Sequence, residues 1–269
     1  MAEDAGLAGS FRDRRDSIRR QVVDAGFVRI EELAEAHAVS AMTIHRDLDA
    51  LQSEGWLRKV RGGATARPSA LYHGDVRHRM QTMVEAKRQL ADAALDLVSP
   101  GSSVLIDDST TALALAEQLP SRPPLTVISN FLAVVRLLAG VPGIDLVALG
   151  GSYFPAYDAF LGMHTSEALG SLHADVLFMS TTAVTGANCY HQSQETVAVK
   201  RALMSAAARR ILLIDHSKLR QRGLYELAPL TAFDLVLIDD GVAAEDLRAL
   251  RDQGVPVQVA ESGARVAGS

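Results

Sequence analysis

The chain has 269 residues, 48% hydrophobic and 22% charged, with a formal net charge of −5 and one cysteine, Cys189. These proportions describe an ordinary globular chain with material for a sizeable core, in one large domain or two ordinary ones. A single cysteine excludes an internal disulfide, no apolar run is long enough to span a membrane, and the opening MAEDAGLAGS lacks the basic-then-apolar order of a secretory signal; a cytoplasmic location is expected, with no membrane partner.

The first 63 residues hold 10 Lys and Arg against 11 Asp and Glu, so they are not basic overall. Their cations are clustered instead: Arg12, Arg14, Arg15, Arg19 and Arg20, then Arg58, Lys59 and Arg61. A local patch of this kind can hold phosphates on a near-neutral domain. Residues 12–26 carry Ile18, Val22 and Ala25 at helical spacing, and 28–39 read as a shorter helix with Leu33 and Ala34 inward. Ser40 suits the N-cap of a third helix, whose stripe is Ile44, Leu48 and Leu51 and whose stop is Gly55. Met42, Arg46 and Asp49 fall opposite that stripe, with His45 beside them. Residues 56–65 read as strand, Gly-Gly turn and return strand, a wing carrying Arg58, Lys59 and Arg61. Three helices and a wing describe a winged helix-turn-helix, whose last helix enters the major groove. Periodicity alone serves an ordinary three-helix module equally well.

The motifs separate the two. Glu32-Leu33-Ala34, Val39-Ser40, Met42-Thr43-Ile44, Arg46-Asp47-Leu48, Leu51, Gly55, Leu57 and Gly62-Gly63-Ala64 follow one pattern over residues 12–66. It resembles the N-terminal domain of the DeoR family, bacterial regulators of the deoxyribose-operon-repressor type. The resemblance implies double-stranded operator DNA as partner. His45 stands where the family usually has a second arginine, and Lys59 and Val60 flank the usual wing arginine. Ser40, Thr43, His45 and Arg46 are the expected contacts of the recognition helix. Arginine can make paired hydrogen bonds to guanine. Arg15, Arg58 and Arg61 are expected to hold phosphates without reading sequence. Asp47 and Asp49 are expected to fix Arg46 or pair within the helix. A solvated charged face is the plainer reading of these arginines.

Residues 62–81 have Gly and Pro and no periodicity, and read as wing and linker. A helix is expected from Val84 to Val98. Seven short apolar runs then alternate with helical stretches: 103–107, 125–129, 145–149, 174–180, 211–215, 233–239 and 255–260, with helices at 110–119, 131–139, 193–208 and 243–252. Runs apolar on both faces fit a buried parallel sheet, and the alternation predicts a doubly wound α/β domain. The expected division is 1–66 for the DNA-binding domain, 67–82 for a linker and 83–269 for an effector-binding and oligomerisation domain.

In such sheets ligands bind outside the carboxyl ends of the strands. Polar residues gather there: Asp107 through Thr111, Ser129 and Asn130, Gly150 and Gly151, and Asp215 with Lys218. Ser109, Thr110 and Thr111 at a helix start suit an anion; simple N-capping by Ser109 suits equally well. Gly150 and Gly151 would let backbone approach a ligand closely, and Glu195 could reach the pocket from its helix start.

The order of these segments, with Val199 to Met204 between them, resembles the sugar-phosphate-sensing domain of the same family, which shares its fold with ribose-5-phosphate isomerase; both domains together cover roughly residues 12–240. By that resemblance Ser109, Thr110 and Thr111 hold a phosphate, Lys218 adds positive charge, and Asp107 and Asn130 meet sugar hydroxyls. Two departures stand out: Ser109 replaces a family glycine beside the extra carboxylate of Asp108, and Thr181 and Thr182 stand where glycine is common. A carboxylate near a phosphate is costly unless paired.

No GxGxxG or P-loop occurs and the eight histidines lack ligand spacing, so neither cofactor nor metal is expected. Cys189 reads as a packing residue. The whole describes a DNA-binding transcriptional regulator of carbohydrate genes, a repressor rather than an enzyme. It would act as a homodimer or homotetramer under a sugar-derived, phosphorylated effector. The competing reading is a sugar-phosphate isomerase or deaminase using Asp107, Asp215 or Lys218.

Overall fold

A computed structural model describes residues 13–19, 21–22, 25–53, 57–66 and 76–261. The chain divides into two compact units, Met1–Asp75 and Val76–Ser269. Arg12, Arg20, Gly55 and residues 67–75 of the expected linker lie outside the described residues.

In the first unit, residues 13–19 and 21–22 are helical and place Ile18 and Val22 in the core. Ala25, expected to face inward, is exposed. The segment expected as one helix over 28–39 begins instead as strand β1 (Phe27–Arg29), followed by helix α1 (Ile30–Ala36). The Phe27-Val28-Arg29 sequence alternates exposed, buried, exposed, and β1 pairs antiparallel with the wing. Helix α2 (Ala41–Ser53) starts at Ser40, whose Oγ accepts the Thr43 N–H at 3.2 Å. It buries Ile44, Leu48 and Leu51. The wing is β2 (Leu57–Val60) and β3 (Gly63–Ala66), with Arg61 and Gly62 at the turn. Strand order is β1-β3-β2. Gly63 is required by close approach: a Cβ there would lie 2.4 Å from the Val28 carbonyl.

The second unit opens with helix α3 (Val76–Gln81), inside the stretch expected to be unstructured linker. Helix α4 (Val84–Leu95) follows. Then come β4 (Ser103–Ile106), α5 (Thr110–Ala116), β5 (Leu125–Ser129), α6 (Leu132–Leu138) and β6 (Ile144–Ala148). A hairpin of β7 (Ser152–Phe154) and β8 (Ala159–Leu161) leads into α7 (Met163–Leu169) and β9 (Ala174–Met179). Next are β10 (Ala183–Thr185), β11 (Asn188–His191), α8 (Gln194–Ser205), β12 (Ala207–Ile214) and β13 (Tyr225–Pro229). The unit closes with β14 (Leu235–Asp239), α9 (Ala244–Asp252) and β15 (Val257–Ala260).

Seven of these strands form one sheet in the order β15-β14-β12-β9-β4-β5-β6. Every pairing in it is parallel. Successive side chains of a strand point to opposite faces, and here both faces are covered. Leu105, Leu212 and Ile238 pack on one side with α7, α8, α9 and the antiparallel sheet β10-β11-β13. Val104, Ile106, Leu213 and Leu237 pack on the other with α3, α4, α5 and α6. That double burial is why the inner strands read as unbroken apolar runs; the edge strands β6 and β15 are more exposed. The chain winds outward from β4 to β6, then returns across β4 to lay down β9 and wind the other way. The switch point therefore falls between β4 and β9, where doubly wound sheets open a crevice at their carboxyl ends.

Candidate nucleic-acid interface and ligand site

Burying Ile44, Leu48 and Leu51 turns the opposite side of α2 outward: Met42 is 65% exposed, Arg46 and Asp49 are exposed, and Thr43 and His45 are half-buried. Ser40 Oγ and Thr43 Oγ1 share a hydrogen bond of 3.0 Å, so the two hydroxyls meet at the helix start. Arg58 and Arg61 are exposed on the wing. Both acidic residues of α2 are paired across elements. Asp47, 2% exposed, accepts from Arg14 Nε at 2.7 Å and Arg15 Nε at 3.0 Å on the N-terminal helical segment 13–19. Asp49 accepts from Lys59 Nζ of the wing at 2.6 Å. The sequence predicts that these carboxylates fix Arg46 or pair within the helix; Asp47 instead holds Arg14 and Arg15, and Asp49 holds the wing lysine, so Arg15 is held at its Nε by protein.

In the second unit the polar strand ends come together at the β4–β9 switch. Asp107 is fully buried and saturated: Oδ1 accepts from Ser109 N at 3.1 Å and Ser109 Oγ at 2.5 Å, and Oδ2 accepts from Ser180 N at 3.0 Å and from Lys200 Nζ. It holds the loops after β4 and β9, and has no acceptor site left for the ligand hydroxyls expected of it. Ser109 Oγ also accepts Ala112 N–H at 3.0 Å and so caps α5. Its hydroxyl is committed to the fold, contrary to a phosphate-holding role. Gly151 is corrected too: its close approach is to protein, since a Cβ there would meet Thr165 Oγ1 at 2.1 Å and Leu161 O at 2.8 Å, whereas the Cβ position of Gly150 is open and its carbonyl accepts from Thr165 Oγ1 at 2.7 Å. Thr181 and Thr182 both donate to Tyr190 O, at 2.8 and 3.0 Å.

Thr110 and Thr111 remain, buried at the first turn of α5, where leading N–H groups have no intrahelical acceptor. Asn130 is fully buried, donates Nδ2 to Phe160 O at 3.0 Å and leaves Oδ1 without a donor. Lys218 lies 3.5 Å from Asp215 Oδ2. Glu195 accepts from Ser193 Oγ at 2.9 Å at the start of α8.

Three cations of this region escaped the sequence reading. Lys200 is 2% exposed and reaches Asp107, Asp108 Oδ1 at 3.2 Å and Ser180 O at 3.1 Å. Burial works against its charge, but the two carboxylates outweigh that and hold Lys200 above its ordinary value. Burial alone would raise Asp108; the Lys200 ammonium, then His191 and Arg79, hold it below the ordinary carboxylate range instead. Lys87 donates to the carbonyls of Arg79 and Thr82, the latter at 2.8 Å. Its burial, then the nearby Lys218, push it down to about 8. Arg79, on α3, sits 5.9 Å over the Tyr157 ring, with Nε and one Nη buried and lacking an acceptor among the described residues. Lys87 and Lys200 had a legible signal, since each falls on the buried stripe of its helix, where a charge requires a partner. Arg79 had none, lying where no periodicity was visible. Cys189 is fully buried and its thiol is pushed up to about 12 by burial, as suits a packing residue.

A winged helix-turn-helix ahead of a doubly wound α/β unit, with a polar site at the strand crossover, defines a ligand-responsive DNA-binding regulator. The DeoR-like helix-turn-helix domain matches residues 14–69 and the DeoR C-terminal sensor domain matches residues 82–240. An uncharacterized HTH-type transcriptional regulator of Escherichia coli K12, YgbI, is 31% identical over 252 residues, covering 93% of this chain and 98% of that protein. The lactose phosphotransferase system repressor of Staphylococcus epidermidis is 31% identical over 232 residues, covering 85% of this chain and 92% of that protein. Ribose 5-phosphate isomerase A of Methanocaldococcus jannaschii overlays 50% of this chain and 54% of its own, at 17% identity and a TM-score of 0.37. The chain belongs to the DeoR family of transcriptional regulators, DNA-binding proteins rather than enzymes.

Proposed function

We propose that the protein represses genes of carbohydrate use and that a phosphorylated sugar binding at the β4–β9 switch changes its grip on the operator. The observation that carries this reading is the joining, in one chain, of an exposed recognition face around Arg46 to a buried polar site at a sheet crossover. A relative named as a lactose phosphotransferase system repressor supports the carbohydrate assignment. In this reading Thr43, His45 and Arg46 meet base edges, Ser40 braces Thr43, and Arg15, Arg58 and Arg61 meet phosphates. Thr110, Thr111, Arg79 and Lys218 receive the effector's phosphate, while Asn130 and Asp215 meet its hydroxyls. Glu195 lies at the rim.

The protein acts in the cytoplasm. Among the described residues no helix is long and apolar enough to cross a membrane. One such head makes few base contacts, so a homodimer or homotetramer reads a repeated or palindromic site. Coupling requires the effector to bind the DNA-competent and DNA-incompetent arrangements with different affinity.

The test is fluorescence anisotropy of the full chain on DNA flanking its own gene, at fixed salt, with phosphorylated and free sugars titrated in. Salt is fixed because phosphate contacts make affinity steeply salt-dependent. Preference over random DNA, shifted by one phosphosugar, supports the proposal. A response only to an unphosphorylated ligand removes the phosphate role of Arg79 and Lys218, and no preference for this DNA removes the regulatory reading of that site.

A further inference from the structure

Three buried oxygens around the β4–β9 switch have no hydrogen-bond donor: Asp108 Oδ1, Asn130 Oδ1 and Asp215 Oδ2. Their residues are 2%, 0% and 0% exposed and follow β4, β5 and β12, so they lie within four consecutive strand ends of one sheet. Asp108 Oδ1 is ion-paired with Lys200 Nζ at 3.2 Å and Asp215 Oδ2 with Lys218 Nζ at 3.5 Å, so each has a cation beside it but no donor of its own, Lys200 being shared with Asp107 and Ser180. Buried polar atoms are nearly always paired, and acceptors left over in a binding cleft mark donors that a ligand brings. Arg79 stands on the opposite footing, with Nε and one Nη buried beside Tyr157 and without an acceptor among the described residues. The unmet demand is therefore an anionic group for Arg79 and donors for the strand-end oxygens. A bare inorganic anion meets only the first and brings its charge toward the Asp108 carboxylate.

We propose that Asp108 is the specificity-determining residue of this site: its carboxylate accepts a hydrogen bond from a hydroxyl or amino group of the effector and penalises anions that present no donor there. The proposal rests on the reading of this unit as an effector domain. It gives Asp108 a discriminating role, where a neutral residue would tolerate any anion that Arg79 can hold. Ser109 and Ser180 hold Asp107 without Asp108, whereas Lys200 is shared between the two carboxylates.

The experiment is calorimetric titration of the full-length wild type, Asp108→Asn and Asp108→Ser with inorganic phosphate, ribose 5-phosphate, 2-deoxyribose 5-phosphate, glucose 6-phosphate and glucosamine 6-phosphate. Melting curves identify which variant is folded, and either one suffices. The expected result is that the variant binds inorganic phosphate at least fivefold more tightly than wild type, and binds the phosphosugar preferred by wild type at least tenfold more weakly. If wild type binds none of the sugars, the phosphate comparison decides alone. Affinities within twofold of wild type, or no binding by any form, overturn the role of Asp108. Parallel anisotropy on DNA separates the two readings: binding that obeys the Asp108 pattern without altering DNA affinity refutes the effector function and leaves the specificity assignment standing.

Discussion

Arg46 and Arg61 are both exposed arginines of the DNA-binding unit, yet their positions assign them different work. Arg46 projects from the outward side of α2, where a guanidinium can reach a base edge, and Arg61 sits at the wing turn, where the proposed reading gives it DNA backbone alone. Arg46→Ala is expected to cost about 1–3 kcal/mol on the preferred site and to relax its sequence preference. Arg61→Ala is expected to weaken all sequences alike and to reduce the salt slope by about 1. Anisotropy on cognate and random DNA at several salt concentrations distinguishes them. Lys87 offers a test of the second unit. Folded, it releases its proton near pH 8 rather than at its ordinary value of about 10.5. Between those limits the unfolded chain holds one more proton at this site than the folded chain. Folded stability contributed by this site therefore rises as pH increases from 8 to 10.5, and the cost of burying the charge is fully present below 8. Denaturation at pH 7.5 and 10 should show a more positive change for wild type than for Lys87→Met; equal changes would mean that Lys87 titrates normally.

Elements in this protein are joined by charges placed inside them. Asp47 lies on α2 but its carboxylate is spent on Arg14 and Arg15 of the N-terminal helical segment 13–19, so it ties that segment to α2. Removing it leaves two guanidinium groups short of an acceptor. Asp47→Ala is expected to destabilise the first unit by about 1.5–3 kcal/mol, the range for hydrogen bonds to charged groups, and to lower DNA affinity although Asp47 is buried. Urea denaturation followed by far-UV circular dichroism, alongside anisotropy, measures both; lost affinity without lost stability would mean that Asp47 touches DNA itself. The same device recurs in the second unit, where Lys200 of α8 ties together the loops after β4 and β9. The β7–β8 hairpin depends on shape instead, since Gly151 leaves space for Thr165 and the Leu161 carbonyl.

At the scale of the whole molecule, the site lies where the sheet reverses its winding, and α3 is the first described element after the DNA-binding unit in the chain. Arg79 on α3 belongs to that site, so an effector that engages Arg79 holds the segment leading back toward the DNA-binding unit. The assembly expected on DNA is a homo-oligomer. Light scattering of the protein alone and bound to its operator should give a mass of two or four chains, and a single chain bound with full affinity would remove the palindromic-site argument.

Sequence alone suffices for the seven strands of the parallel sheet. Burial on both faces leaves the inner strands as apolar runs between turn residues, a signal local enough to read without neighbours; the edge strands β6 and β15 are largely apolar although much of their length is exposed or half-buried. It suffices also for α2, whose stripe and N-cap lie within one short segment, and for the family, whose motifs are contiguous. It does not suffice where identity depends on a distant partner. Val28 and Arg29 look like the start of a helix and become part of a strand because β3 lies alongside. The strands of the two smaller sheets in the second unit are three to five residues long and carry no period to detect. Asp107, Ser109, Gly150 and Gly151 sit where a ligand site belongs, and only the fold reveals that protein groups already satisfy or surround them. Arg79 and Lys200 entered the site the same way, because the pairing of a buried charge is settled by what lies across the sheet and not by what lies beside it in the chain.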